Sequence, residues 1–210
     1  MTSTHIHRLL AQHPIVSDQV SREDIELVLR ELDRVLEQGV PGDIVELGCY
    51  IGTTSLFIRR LLDEYGQSNN HAFHVYDSFA GLPPKDKQDT SAAGVDFKAG
   101  ELAVSKKQFL HEFHKAHLQP PVVHKGWFED LTEADIPAHV AFAFLDGDFY
   151  SSILTSLKLV WPRLSPGGVV LVDDYQRPEL PGPERAVGDF FQAQPPALRV
   201  AHNIAIICKR

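Results

Sequence analysis

Hydrophobic positions recur along this chain with two alternating periods. Behind Ser21 and Asp24, residues Ile25, Val28, Leu29, Leu32, Val35 and Leu36 return every three or four positions. That spacing predicts an amphipathic helix over 21–39, opened by a cap-like serine and stopped at Gly39. After "VPG" the period changes: "DIVELG" is short and apolar, "CYIGTT" is a turn, and "SLFIRRLLDEY" is helical again. Strand, glycine turn and helix in that order open a nucleotide-type α/β unit. "HAFHVYD", "PPVVHKG", "HVAFAFLD" and "GGVVLVDD" read as further strands, with helices over "SKKQFLHEFHKAHL" and "SSILTSLKLVWPRL". Strands that alternate with helices imply a mostly parallel sheet with helices on both faces. A short helix, "ERAVGDFFQAQ", precedes two strand-like runs, "ALRVAH" and "NIAIICKR", joined almost without a linker as in an antiparallel hairpin. The expectation is an α/β fold with seven strands, the C-terminal one antiparallel.

Two segments fall outside this rhythm. Residues 1–39 form an N-terminal helical segment ahead of the sheet. Residues 78–103, "SFAGLPPKDKQDTSAAGVDFKAGELA", are a long polar excursion containing Gly and Pro. Loops of that length are functional or disordered, so this one is expected to be a substrate-side lid, with an ordinary mobile insertion as the alternative.

Composition narrows the picture. With 210 residues, 43% of them hydrophobic, the chain can bury one substantial core and is expected to be a single domain. A formal net charge of -8 and the absence of a dense Lys/Arg run argue against nucleic acid or an anionic membrane as partner. Cys49 and Cys208 have no ligand-like or disulfide-framework spacing, which suits a reducing, cytoplasmic setting. The N-terminus lacks an apolar run behind a basic start, so neither export nor membrane insertion is expected. Nothing in the pattern decides between a monomer and a homo-oligomer.

In parallel sheets ligands bind at the carboxyl ends of the strands, and those ends are unevenly equipped here. The first strand delivers Glu46, Gly48, Tyr50, Gly52 and Thr54, and the second ends in Asp77 followed by Ser78. Glycines let a ligand approach the backbone, and an acid one unit later can accept hydrogen bonds from both ribose hydroxyls. The spacing is ExGxxxG rather than the GxGxxG of dinucleotide binders, which favours S-adenosylmethionine over a nicotinamide cofactor. Trp127 and Phe128 follow the third strand, where they could flank an adenine ring or simply pack the core. The fourth strand delivers Asp146 and Asp148, and the fifth Asp173 and Asp174. Adjacent strands lie about 4.8 Å apart, so the acids converge, and they would raise one another's pKa unless a cation held them. An oxygen-only cluster suits magnesium, manganese or calcium better than zinc. The histidines of "HEFHKAH", His111, His114 and His117, read as a solvated helical face, while His124 and His202 stay unassigned.

Five stretches, "VPGDIVELGCYIGTTS", "YDSFAGLPP", "HKGWFEDL", "FLDGDFYSS" and "GGVVLVDDY", occur in the order seen in the macrocin O-methyltransferase (TylF-like) family, which this chain resembles from about residue 40 to residue 190. The resemblance implies a Rossmann-like class I methyltransferase fold and a divalent-metal-dependent transfer of methyl from S-adenosylmethionine to a sugar hydroxyl. It implies metal ligation by Asp146, Asp173 and Asp174, with Asp146 also beside the cofactor, a general base in Asp148 and a ribose contact in Asp77. The glycine turn "GCYIGTTS" is also similar to that of metal-dependent catechol-type O-methyltransferases, which keeps a phenolic acceptor as the alternative to a sugar or other vicinal diol. Two rivals are a nicotinamide-dependent oxidoreductase, for which the glycine spacing is wrong, and a silent cofactor-binding module, which would not retain the acids.

Overall fold

In a computed structural model, which describes residues 2–66, 71–93, 97–192 and 196–210, the expected rhythm is present. In chain order the elements are α1 (Thr2–Gln12), α2 (Arg22–Glu37), β1 (Asp43–Leu47), α3 (Thr53–Tyr65), β2 (Phe73–Asp77), α4 (Lys106–Lys115), β3 (Val122–Lys125), β4 (Val140–Leu145), α5 (Tyr150–Val160), β5 (Leu164–Val172), α6 (Gly182–Phe190), β6 (Leu198–Ala201) and β7 (Ile204–Cys208). The seven strands form one sheet in the order β3-β2-β1-β4-β5-β7-β6. Only β7 runs against its neighbours, inserted between β5 and β6.

Side-chain alternation along each strand sorts the core into two layers. Ile44, Phe73, Val75, Phe142, Phe144, Val169 and Leu171 face one way, into the cluster built from α1 to α4. Val45, Leu47, Tyr76, Ala143, Leu145, Val170 and Val172 face the other, under α5 and α6. All six residues of β4 are buried, as a central parallel strand covered on both faces requires.

Local chemistry explains the element ends. Ser21 accepts from the Asp24 N–H at 3.1 Å and its own N–H donates to the Asp24 carboxylate at 3.1 Å, which is the capping box expected at α2. The helix expected over 151–164 stops at Val160 and passes through a 3-10 turn at Trp161–Arg163. Pro162 has no N–H to continue the helical ladder, and β5 therefore begins at Leu164, earlier than the glycine pair suggested. His202 and Asn203, at φ 50° and 60°, make the two-residue turn of the terminal hairpin. The end of the helix expected over 184–194 lies, from residue 193, outside the described residues.

The excursion over 78–103, whose residues 94–96 lie outside the described ones, is fastened at several points. Asp89, 2% exposed, accepts from the N–H of Tyr150 at 2.7 Å and of Asp86 at 2.8 Å, so a distant carboxylate caps α5. Ser91 donates to the Pro178 carbonyl at 2.6 Å, and Arg185 donates to that of Gln88. Leu82 N–H donates to the Glu101 carbonyl and Gly100 N–H to the Leu82 carbonyl, which closes the segment on itself. Among the described residues no helix is long and apolar enough to cross a membrane.

Candidate active site

The chain runs outward from β1 through β2 to β3 and then crosses to β4 on the other side, so the order reverses between β1 and β4. A crevice opens at the carboxyl ends of such a pair. The ladder continues past each strand and draws the ends together: Gly48 N–H donates to Tyr76, Asp146 N–H to Leu47, and Asp173 N–H to Leu145, at 2.9, 2.8 and 2.9 Å. Gly48, at φ 92°, passes so close to β4 that a Cβ would sit 1.9 Å from the Asp146 carbonyl oxygen. Only glycine fits there.

Asp77 fastens the glycine turn to β2. One carboxylate oxygen accepts from the N–H groups of Cys49 and Tyr50 at 2.9 and 3.3 Å, and the other accepts from Phe79 N–H at 2.7 Å. A carboxylate offers roughly four acceptor positions, so about one is left for a ligand hydroxyl. Tyr50, Phe79, Asp148 and Asp174 all hold left-handed backbone, with φ from 48° to 59°, at the ends of β1, β2, β4 and β5. Each costs roughly 1–2 kcal/mol, and this strain is gathered around one crevice.

The crevice is a cleft open to solvent, with about 1060 Å³ of empty space when the solvent at its mouth is counted. Gly48, Tyr50, Asp77, Ser78, Trp127, Phe128, Asp146, Asp148, Asp173 and Asp174 all line it. Glu46, Gly52 and Thr54, also expected at the cofactor, do not. Glu46 lies on the α3 face of β1, 1% exposed, and accepts a hydrogen bond from Ser55. Burial pushes its pKa up to about 8, with the Ser55 hydroxyl opposing and Asp77 adding to the rise. Gly52, at φ 92°, heads α3 against the ring of Phe109, and Thr54 is buried in the first turn of that helix. These three shape the turn from behind.

Asp146, Asp148 and Asp174 each present a carboxylate oxygen, all within 4.8 Å of one another, the one grouping with cation-ligand spacing among the described residues. Asp173 lines the same cleft beside this triad. The tightest trio therefore contains Asp148 where the resemblance implied Asp173. Burial is the main reason that all four carboxyls titrate high; neighbouring acids add to it, and at Asp174 the Arg177 guanidinium opposes it. Asp148 is pushed up to about 8, chiefly by burial and then by Asp174, with Arg177 opposing. Left to themselves the acids would hold protons, and an all-oxygen donor set of this charge fits a hard divalent cation.

Residues that pattern reading missed complete the walls: Gln19 from the segment before α2, Leu82, Phe97 and Leu102 from the 78–103 excursion, and Arg177 and Leu180 beyond β5. The one available signal was the position of Arg177 three residues after Asp174, to which it donates at 2.6 Å. His111 and His114 lie on the exposed face of α4 with ring centroids 6.5 Å apart. His124 stacks on Tyr76 at 4.3 Å and meets His74 at 3.1 Å, while His202 serves the hairpin turn.

Six strands in one direction, a reversed seventh inserted beside the edge and a cleft at the switch point define the class I methyltransferase fold. The chain belongs to the macrocin O-methyltransferase (TylF) family, whose model matches residues 15–201. It is 37% identical over 150 residues to the 8-demethyl-8-(2,3-dimethoxy-alpha-L-rhamnosyl)-tetracenomycin-C 4'-O-methyltransferase of Streptomyces olivaceus, covering 69% of this chain and 57% of that protein. It is 28% identical over 194 residues to the mycinamicin III 3''-O-methyltransferase of Micromonospora griseorubida, covering 82% of this chain and 76% of the relative. Among solved structures, the O-methyltransferase NovP superposes with a TM-score of 0.76 at 24% identity, covering 90% of this chain and 81% of that one. The calicheamicin methyltransferase CalS11 does so with a TM-score of 0.74 at 22% identity, covering 99% and 91%.

Proposed function

We propose that this chain is an S-adenosylmethionine-dependent O-methyltransferase that methylates a sugar hydroxyl of a small natural product with the help of a divalent cation. The observation that carries the reading is the convergence of three carboxylates, Asp174 buried and Asp146 and Asp148 half-buried, beside the glycine turn in one cleft. The rhamnosyl group in the name of the Streptomyces olivaceus relative supports the acceptor class.

Bound S-adenosylmethionine would supply an electrophilic methyl group, and the cation would supply Lewis acidity toward the acceptor hydroxyl. The protein's part is position and proton handling. Gly48 and Tyr50 admit the cofactor against backbone, Asp77 and Ser78 meet its ribose, and Trp127 and Phe128 flank its base. Asp146, Asp173 and Asp174 would hold the cation. Asp148 would take the acceptor proton on a carboxylate oxygen as the methyl bond forms. Leu82, Phe97 and Leu102 of the excursion form the acceptor-side wall, and the segment is fastened through Asp89 and Ser91. The apolar side chains of Leu82, Phe97, Leu102 and Leu180 on that wall favour a second reading, a flat phenolic acceptor.

Calorimetric titration with S-adenosylhomocysteine, with magnesium and with chelator, followed by a panel of sugar-bearing and catechol acceptors, tests the proposal. Cofactor binding in both conditions with methyl transfer only when magnesium is present is the expected result. No binding in either condition removes the methyltransferase reading, transfer undiminished by chelator removes the cation, and turnover of catechols alone selects the phenolic alternative.

A further inference from the structure

We propose that Arg177 is the resident counter-ion of the acid cluster and that a divalent cation must exchange with it to bind. The inference rests on the cation reading above and goes beyond it. Six acids line the cleft, Asp77, Glu129, Asp146, Asp148, Asp173 and Asp174, against a single Arg or Lys among the described lining residues. That one is Arg177. Its Nη1 donates to Asp174 Oδ1 at 2.6 Å, a charge-assisted bond that occupies an oxygen of the very carboxylate placed to hold the cation.

The loop geometry keeps the guanidinium there yet leaves it able to depart. Asp174 and Gln176 adopt left-handed backbone, φ 53° and 61°, which folds the chain back so that Arg177 N–H reaches the Asp174 carbonyl at 3.3 Å. Leu180 N–H then bonds the Arg177 carbonyl at 3.0 Å and pins the base of the side chain. The Asp174 side chain is 9% exposed, whereas that of Arg177 is 46% exposed, so the acid is fixed and the arginine has open space beside it. Glu179, with a carboxylate oxygen 3.8 Å from Arg177 Nε, is an alternative partner at the rim. A cation held by Asp146 and Asp174 would bring like charge next to the guanidinium, whose attraction to Asp174 it replaces. Arg177 thereby keeps the acids together in the metal-free protein and weakens the site for the ion.

The test is calorimetry with manganese(II) as the probe, at a pH of about 8.5 so that protons do not refill the place the arginine leaves. Arg177→Met should bind manganese at least about tenfold more tightly than wild type, whereas Arg177→Lys, which keeps the charge, should stay within about threefold. In an Asp174→Asn background the gain from Arg177→Met should vanish, because the shared carboxylate is gone. Equal or weaker binding by Arg177→Met overturns the exchange, since it would make the arginine a bystander or a support for Asp174. Failure of wild type and all variants to bind manganese overturns the cation reading itself, and this inference with it. Thermal melts in chelator check that each variant is folded; if Arg177→Met does not fold, an Arg177→Gln variant carries the same expectation.

Discussion

Replacing Glu46 by Gln isolates one buried charge from a crowded neighbourhood. Glu46 is 1% exposed on the α3 face of β1, outside the cleft, and its pKa rises from 4.5 to about 8, mainly through burial. Between those two values the folded chain keeps a proton that the unfolded chain has released, so stability falls as pH rises. Each pH unit in that window removes up to about 1.4 kcal/mol, which amounts to about 5 kcal/mol once the pH exceeds the folded value. Relaxation of the turn around a buried charge reduces this, and about 3–5 kcal/mol is the expected range. The amide of the variant still accepts the Ser55 hydroxyl and carries no proton to lose. Urea unfolding at about pH 5 should therefore find Glu46→Gln within about 1 kcal/mol of wild type, and at about pH 8.5 more stable by that range. Asp146, Asp148, Asp173 and Asp174 titrate in both proteins, so only the difference between the two profiles reports on Glu46. Parallel profiles would refute the reasoning, because Glu46 would then be charged and solvated in the fold. The affinity for S-adenosylhomocysteine should be unchanged; a large loss would mean that Glu46 reaches the ligand.

Other perturbations probe the crevice itself. Gly48→Ala should destabilise the protein by at least about 3 kcal/mol in denaturant titration and abolish binding of S-adenosylhomocysteine, because the Cβ collides with the Asp146 carbonyl at a positive φ; a stability close to wild type would contradict the close approach of β1 and β4. Asp146→Ala and Asp174→Ala should each eliminate metal-dependent methyl transfer while leaving binding of S-adenosylhomocysteine largely intact, and activity within a few-fold of wild type would exclude both as cation ligands. Asp148→Asn should keep manganese affinity and lose rate, whereas a collapse of metal affinity would make Asp148 a ligand and place the base elsewhere. Asp89→Ala should cost about 2 kcal/mol in urea unfolding, since it removes the acceptor that caps α5 and leaves two backbone donors unpaired; no measurable change would show that the excursion is not fastened there.

Much of the architecture was legible in the order of residues. Short continuous apolar runs such as "VAFAFL" and three-and-four spacing such as Ile25, Val28, Leu29 and Leu32 report burial that is set locally, and they fall in the observed strands and helices. The four strand-end acids and the glycine turn were visible for the same reason, because in a parallel sheet every strand delivers its last residues to one end. Finer assignments required three dimensions. Glu46 looked like a cleft residue in one dimension, but alternation along β1 turns it toward α3 and Ser55. Asp148 rather than Asp173 joins the tightest trio because Asp148 and Asp174 leave their strands in left-handed backbone, which pattern reading does not reveal for aspartate. Gln19, Phe97, Leu102 and Arg177 reach the cleft from segments with no periodicity, and Asp89 caps a helix 61 residues away. Local pattern carries information about which side chains must leave water; only the packed chain decides which distant groups then meet, because those pairings depend on strand order, register and turn geometry together.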